Sequence, residues 1–122
     1  ELDLPLSFEA ARERGVTLGS GVVAVFDETV DLVDTLLRIA QFFRDESCGQ
    51  CVPCRVGTVR QEEALHRIAQ KRALGTVADE IQLLDEISQV MKDASICGLG
   101  QTAASVVSSA VTRLKLFNGG AA

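Results

Sequence analysis

The sequence has no tryptophan and no tyrosine, and only five phenylalanines. So few aromatic rings leave little with which to stack a nucleotide. There is one histidine, His66, in a stretch with helical spacing. It reads as a solvated surface side chain, and no Ser/His/Asp arrangement for nucleophilic catalysis accompanies it. Basic residues are the minority: 12 Lys and Arg stand against 17 Asp and Glu, for a net charge of -5. That balance, with a pI of about 4.8, argues against nucleic acid as a partner. No apolar run approaches the ~20 residues of a membrane span, and no secretory segment is legible. Repeats and low-complexity tracts are absent. Prolines number two and glycines ten, in a chain of 122 residues that is 47% apolar and 24% charged. This is ordinary globular composition, enough for one modest core.

What is present is concentrated in one stretch, Glu46-Ser47-Cys48-Gly49-Gln50-Cys51-Val52-Pro53-Cys54-Arg55. Three cysteines sit there at C-x2-C-x2-C spacing. The fourth and last, Cys97, lies far downstream in Ile96-Cys97-Gly98-Leu99-Gly100. Thiols two residues apart fit disulfide geometry poorly, and disulfides in a small secreted domain are the bland alternative. Structural zinc sites usually come as two C-x2–4-C pairs. Three plus one favours a 4Fe–4S cluster held by four thiolates. Gly49 gives the loop access to positive φ, and Pro53 stiffens the approach to Cys54. Arg55 beside an anionic cluster would stabilise it. Cys97 precedes a long helical pattern, which places it before a helix N-terminus, where an anion is favoured. Asp45 reads as a solvated helix-end acid, while Glu46 stays open between that role and tuning the cluster or touching a flavin domain.

The rest of the chain predicts helices. Ser7 is a plausible N-cap and Gly15 a plausible stop for a short first helix. Leu18-Gly19-Ser20-Gly21 reads as a turn, since it lacks the spacing of a phosphate loop. Val22-Val23-Ala24-Val25-Phe26 reads as a buried strand, an oddity because a lone strand needs a partner. Val33, Leu36, Leu37, Ala40 and Phe43 then form an apolar stripe, with Asp27 or Thr29 as its cap. A second helix starts near Cys54, with Val56, Val59, Leu65, Ile68 and Ala69 marking its buried side. Gly57 inside it implies close approach to a cluster or another helix. A third carries Val77, Ile81, Leu84, Ile87 and Met91 after a capping-box variant at Thr76–Asp79. A fourth carries Ala103, Val106, Val107, Ala110, Val111, Leu114 and Phe117 and ends at Asn118-Gly119-Gly120. The fold class is therefore mainly α: a four-helix bundle with the cluster site at one end.

The residues Glu46-Ser47-Cys48-Gly49-x-Cys51-x-Pro53-Cys54-Arg55-x-Gly57-Thr58, with Cys97-x-Leu99-Gly100, resemble the C-terminal 4Fe–4S domain of the NADH-oxidising flavoprotein subunit of respiratory complex I. The diaphorase subunit of NAD-reducing hydrogenases and the β subunit of soluble NAD-dependent formate dehydrogenases carry the same domain. The resemblance runs from about Leu4 to Leu116 and implies that Cys48, Cys51, Cys54 and Cys97 ligate the cluster. It further implies that residues 1–28 are the tail of a preceding ubiquitin-like, β-rich domain, that 29–118 form the 4Fe–4S bundle and that 119–122 are a disordered tail. The chain then reads as a C-terminal piece of a longer or split protein.

In such subunits NADH reduces FMN, and single electrons pass through this cluster to further Fe–S centres. The implied partners are the FMN/NADH-binding portion, a thioredoxin-like 2Fe–2S subunit and a larger Fe–S subunit, all in the cytoplasm. FMN and NAD(H) would sit in that neighbouring portion, so this chain alone is expected neither to bind FMN tightly nor to oxidise NADH. The run Val52–Val59 resembles the soluble formate dehydrogenase and hydrogenase enzymes more closely than complex I. Two other readings stand beside this one: a structural zinc or interaction domain, and a free-standing ferredoxin-like carrier.

Overall fold

The computed structural model describes residues 3–19 and 21–117. They fall into two units that divide between Val30 and Asp31.

The first unit holds one short helix, α1 (Phe8–Glu13). Ser7 caps it, its hydroxyl accepting from the Ala10 N–H at 3.2 Å. Gly15, with φ of 64°, turns the chain out of the helix. The expected strand Val22–Phe26 does not form: no strand occurs among the described residues. Val22, Val23 and Val25 are each at least 79% exposed. A β-branched run favours extended backbone, but an extended segment becomes a strand only against a partner ladder. Ser20 of the expected glycine turn lies outside the described residues.

The second unit is the bundle. α2 (Leu32–Asp45) begins at Asp31, whose carboxylate accepts from the N–H groups of Val33 and Asp34. The expected caps Asp27 and Thr29 instead bond each other in a local turn. Leu36 and Ala40 of the expected stripe are buried, and Val33, Leu37 and Phe43 half-buried. α3 (Val52–Ala69) starts two residues earlier than its sequence suggests, with Cys51 at the N-cap and Pro53 in the first turn, where a missing N–H does no harm.

α3 runs down the centre of the unit, packed against α2 on one side and α4 (Val77–Ala94) on the other. The capping box of α4 forms as expected: Thr76 Oγ1 accepts from the Asp79 N–H, and the Asp79 carboxylate accepts from the Thr76 N–H. The anticipated fourth helix is two helices, α5 (Gly98–Thr102) and α6 (Ser105–Thr112). At the break Gln61 Nε2 donates to the Ala103 carbonyl at 3.3 Å. A side-chain donor entering a helix ladder is one of the known causes of a break or kink. The expected end of this pattern at Asn118-Gly119-Gly120, and the tail after it, lie outside the described residues.

Leu36, Ala40, Ala64, Leu65, Ile68, Leu84, Val107 and Ala110 make one buried core. The fold is thus the mainly α bundle that the periodicity implies. The buried side of α3 differs from expectation, since Val56 is 43% exposed while Gln61 and Glu62 are buried. Gly57 serves helix packing: a Cβ there would collide with Met91 Cγ and Sδ on α4.

Candidate metal centre

Three junctions meet at one end of the bundle: the loop from α2 to α3, the first turn of α3, and the link from α4 to α5. They enclose a cavity of about 100 Å³ lined by Glu46, Ser47, Cys48, Gln50, Cys51, Cys54, Cys97 and Leu99. Cys97, far away in sequence, thus faces the same space as the loop triad. Cys54 is buried, Cys51 half-buried, and Cys48 and Cys97 exposed; all four are free thiols. The site runs from a sealed floor to an open rim.

The loop takes its shape from a few short contacts. Gly49 has φ of 75°, as the turn between Cys48 and Cys51 requires. Ser47 Oγ lies 3.3 Å from Cys54 Sγ and accepts from the Gly49 N–H at 3.4 Å. Arg55 reaches back over the loop, donating from Nη1 to the Gly49 carbonyl at 3.0 Å. Its charge is therefore held beside the cysteines by a backbone contact. Thr58 donates to the Cys54 carbonyl at 2.9 Å, fixing the first turn of α3 from within. Gln101 Nε2 donates to the Ser95 carbonyl at 3.0 Å, tying α5 to the segment before Cys97.

Cys51 stands at the N-terminus of an 18-residue helix, and no side-chain bond caps it. The nearby N–H of Ile96 first, and then that of Cys54, hold its thiol below the ordinary value, against the opposing effect of burial. Positive ends of N–H dipoles thus favour a thiolate there. Cys97 N-caps α5, as expected, but α5 has five residues, so its dipole adds less than the sequence pattern promised.

Ser95 and Gly100 pack behind Cys54. A Cβ on Gly100 would strike Ser95 Oγ and Cβ and the Cβ of Cys54. Ser95 is buried, and its Oγ finds no hydrogen-bond partner. These residues suit a bound thiophilic group: four thiols, a depressed thiol pKa, a spare hydroxyl and room for several atoms. One water needs only about 10–15 Å³ measured the same way. Among the described residues no three His, Cys, Asp or Glu side chains converge tightly enough for a single metal ion.

The other sequence candidates lie elsewhere or do little. Asp45 pairs with Arg44 at 2.9 Å on the surface, whereas Glu46 lines the cavity. His66 is half exposed, its Nε2 3.8 Å from Glu62 Oε1. Ser47 and Ser95 are the residues that sequence reasoning missed. Ser47 carried a signal in its place next to Cys48; Ser95, two residues before Cys97, carried a weaker one.

Fold and site together define a helical domain with a cysteine-lined cleft at one end. The chain belongs to the NADH-ubiquinone oxidoreductase-F iron-sulfur binding region family, whose profile matches residues 34–116. It is 39% identical over 106 residues to the NADP-reducing hydrogenase subunit HndC of Solidesulfovibrio fructosivorans, covering 84% of this chain and 20% of that one. It is 38% identical over 114 residues to the F subunit of the NADH-quinone oxidoreductase of Mycobacterium tuberculosis, covering 93% and 25%. The F subunit of the NADH-quinone oxidoreductase of Aquifex aeolicus is 35% identical over 107 residues, covering 88% and 24%. The chain therefore spans a quarter or less of the length of these relatives. The group that this family's region carries is a 4Fe–4S cluster. Among the described residues no helix is long and apolar enough to cross a membrane.

Proposed function

We propose that Cys48, Cys51, Cys54 and Cys97 ligate the 4Fe–4S cluster, and that this chain is the electron-relay module of an NAD(H)-linked oxidoreductase. The observation that carries the reading is the placement of distant Cys97 on the same small cavity as the loop triad. When bound, the cluster accepts and releases one electron at a time. The chain's own residues supply the rest. Cys54 anchors the group on the buried side, Cys51 presents a sulfur favoured as thiolate, and Cys48 and Cys97 close the exposed rim. Arg55 brings a positive charge to the loop, and the start of α3 adds N–H dipoles.

In this reading FMN and NAD(H) bind in the portion of the protein outside this chain. A thioredoxin-like 2Fe–2S subunit and a larger Fe–S subunit are the partners for onward transfer, in the cytoplasm. Residues 1–28 are the tail of the preceding ubiquitin-like domain, and 29–118 the cluster domain. The exposed apolar run Val22–Phe26 supports a covering partner for that tail. Within the family we favour the soluble hydrogenase or formate dehydrogenase type on the loop Val52–Val59; overall identity to hydrogenase and quinone-reductase subunits is nearly equal.

Iron and sulfide analysis of anaerobically reconstituted protein tests the assignment. About four of each per chain, in a brown protein, is the expected result. Stoichiometric zinc without iron would instead establish the structural zinc reading.

A further inference from the structure

Two hydroxyls lie close to Cys54, Ser47 at 3.3 Å from its sulfur and Ser95 across the space over Gly100 from its Cβ, and neither is needed to hold a helix together. Ser47 Oγ already accepts from the Gly49 N–H, which leaves its own proton free for Cys54 Sγ at 3.3 Å. A hydroxyl beside a thiolate can only donate, because the sulfur has no proton to give. Ser95 has 6% of its surface exposed, and its Oγ has no partner. It shares the space over Gly100 with the Cβ of Cys54, so it packs behind the buried cysteine of the site. A buried hydroxyl with no partner is costly, and Cys54, the buried cysteine of the site, adjoins it.

We propose that Ser47 and Ser95 are hydrogen-bond donors to the cavity sulfurs and set how readily a cluster held there takes up an electron. The inference rests on the reading of the four cysteines as cluster ligands. The physical basis is charge. Adding an electron makes the thiolate-held group more negative, and a donor O–H stabilises the more negative state by more. Removing either hydroxyl therefore disfavours the reduced form. Both serines act through the cysteine sulfurs, as positioning residues of the redox site.

The test is an EPR-monitored redox titration of the full chain, anaerobically reconstituted, as wild type, Ser47→Ala, Ser47→Thr and Ser95→Ala, with iron content measured on each sample. At fixed ambient potential, Ser47→Ala should lower the reduced-to-oxidised ratio about tenfold, about 59 mV for a one-electron couple. Ser47→Thr keeps the hydroxyl and should restore most of the ratio. Ser95→Ala should shift in the same direction by a smaller factor, with iron content unchanged in all three. An unchanged ratio in Ser47→Ala and Ser95→Ala at full iron content would overturn the inference and leave the cluster reading intact. Loss of iron in Ser47→Ala with helicity retained would overturn it too, assigning that hydroxyl to assembly. Wild type that takes up no iron would sink the ligand reading beneath it, and this inference with it.

Discussion

The two ends of α3 are built on opposite terms. At its C-terminal end, Arg67 grips Glu80 of α4 with two bonds, Nε to Oε1 at 2.6 Å and Nη2 to Oε2 at 2.7 Å. The Leu74 N–H adds a third at 2.9 Å, from the loop between the helices. Glu80 is only 1% exposed, yet both of its oxygens are engaged, as a buried carboxylate requires. At the N-terminal end, Ser95 Oγ has no partner, Cys51 caps its helix without a side-chain bond, and two of four thiols face outward. One end is satisfied by the chain itself. The other concentrates sulfur, spare donors and helix dipole around a cavity. Structural polar groups are closed by other side chains, whereas a site for a foreign group keeps its valences open.

Several substitutions sharpen that contrast. The largest effect is expected from Cys97→Ala, which should abolish or degrade the cluster although three cysteines remain, while leaving the helical content in place. Iron analysis and circular dichroism on the same sample decide it, and an intact 4Fe–4S EPR signal would exclude Cys97 as a ligand. Glu80→Ala should do the reverse. It leaves Arg67 without its partner and costs about 3 kcal/mol in denaturant unfolding, with iron per folded chain unchanged.

The same end carries a pH signature. Arg67 holds the Glu80 carboxyl below its ordinary 4.5, against the opposing effect of burial, and the Leu74 N–H helps. A depressed carboxylate contributes stability that is fully present above the unfolded value and is lost as pH falls through the folded one. Melting temperature should therefore decline below pH 4.5, and less steeply in Glu80→Gln; Asp79, lowered by its capping box with Thr76, keeps part of the slope. Identical slopes would remove Glu80 from the account.

Gly57→Ala drives a methyl into Met91, nearer the cysteine end of α3. Overpacking of about 1–3 kcal/mol is partly offset by about 1 kcal/mol of helix propensity. A small net loss is expected, and Met91→Ala in the same chain should relieve the clash. The smallest effect belongs to Val23→Asp, at a position 79% exposed. Unfolding of the isolated chain should change by no more than about 0.5 kcal/mol.

Much of this was legible before any coordinates. The three-plus-one cysteine pattern pointed to four side chains that line one cavity, and the capping signals at Ser7 and Thr76 placed two helix starts correctly. The remainder escaped for identifiable reasons. Three polar residues near the start of α2 compete to cap it, and Asp27 is occupied by its own turn with Thr29. The buried face of α3 runs through Cys54, Gly57, Thr58, Gln61, Ala64, Leu65 and Ile68. That spacing is regular for a helix, but polar and glycine positions hide it from a search for apolar residues. The break between α5 and α6 has no glycine or proline to announce it, because its bond comes from Gln61 on another helix. Val22–Phe26 has the local preference of a strand, but pairing is a property of neighbours.

Hydrogen exchange on the apo and cluster-loaded chain tests the contrast between the two ends most directly. Loading should raise protection in the loop 47–54 and across 96–104, where binding and local folding are coupled. The amides of the seam from Arg67 to Glu80 should exchange equally in both states, since the chain alone satisfies them. Equal protection at the cysteine end in both states would contradict the account, as would a seam that tightens only when the cluster is present.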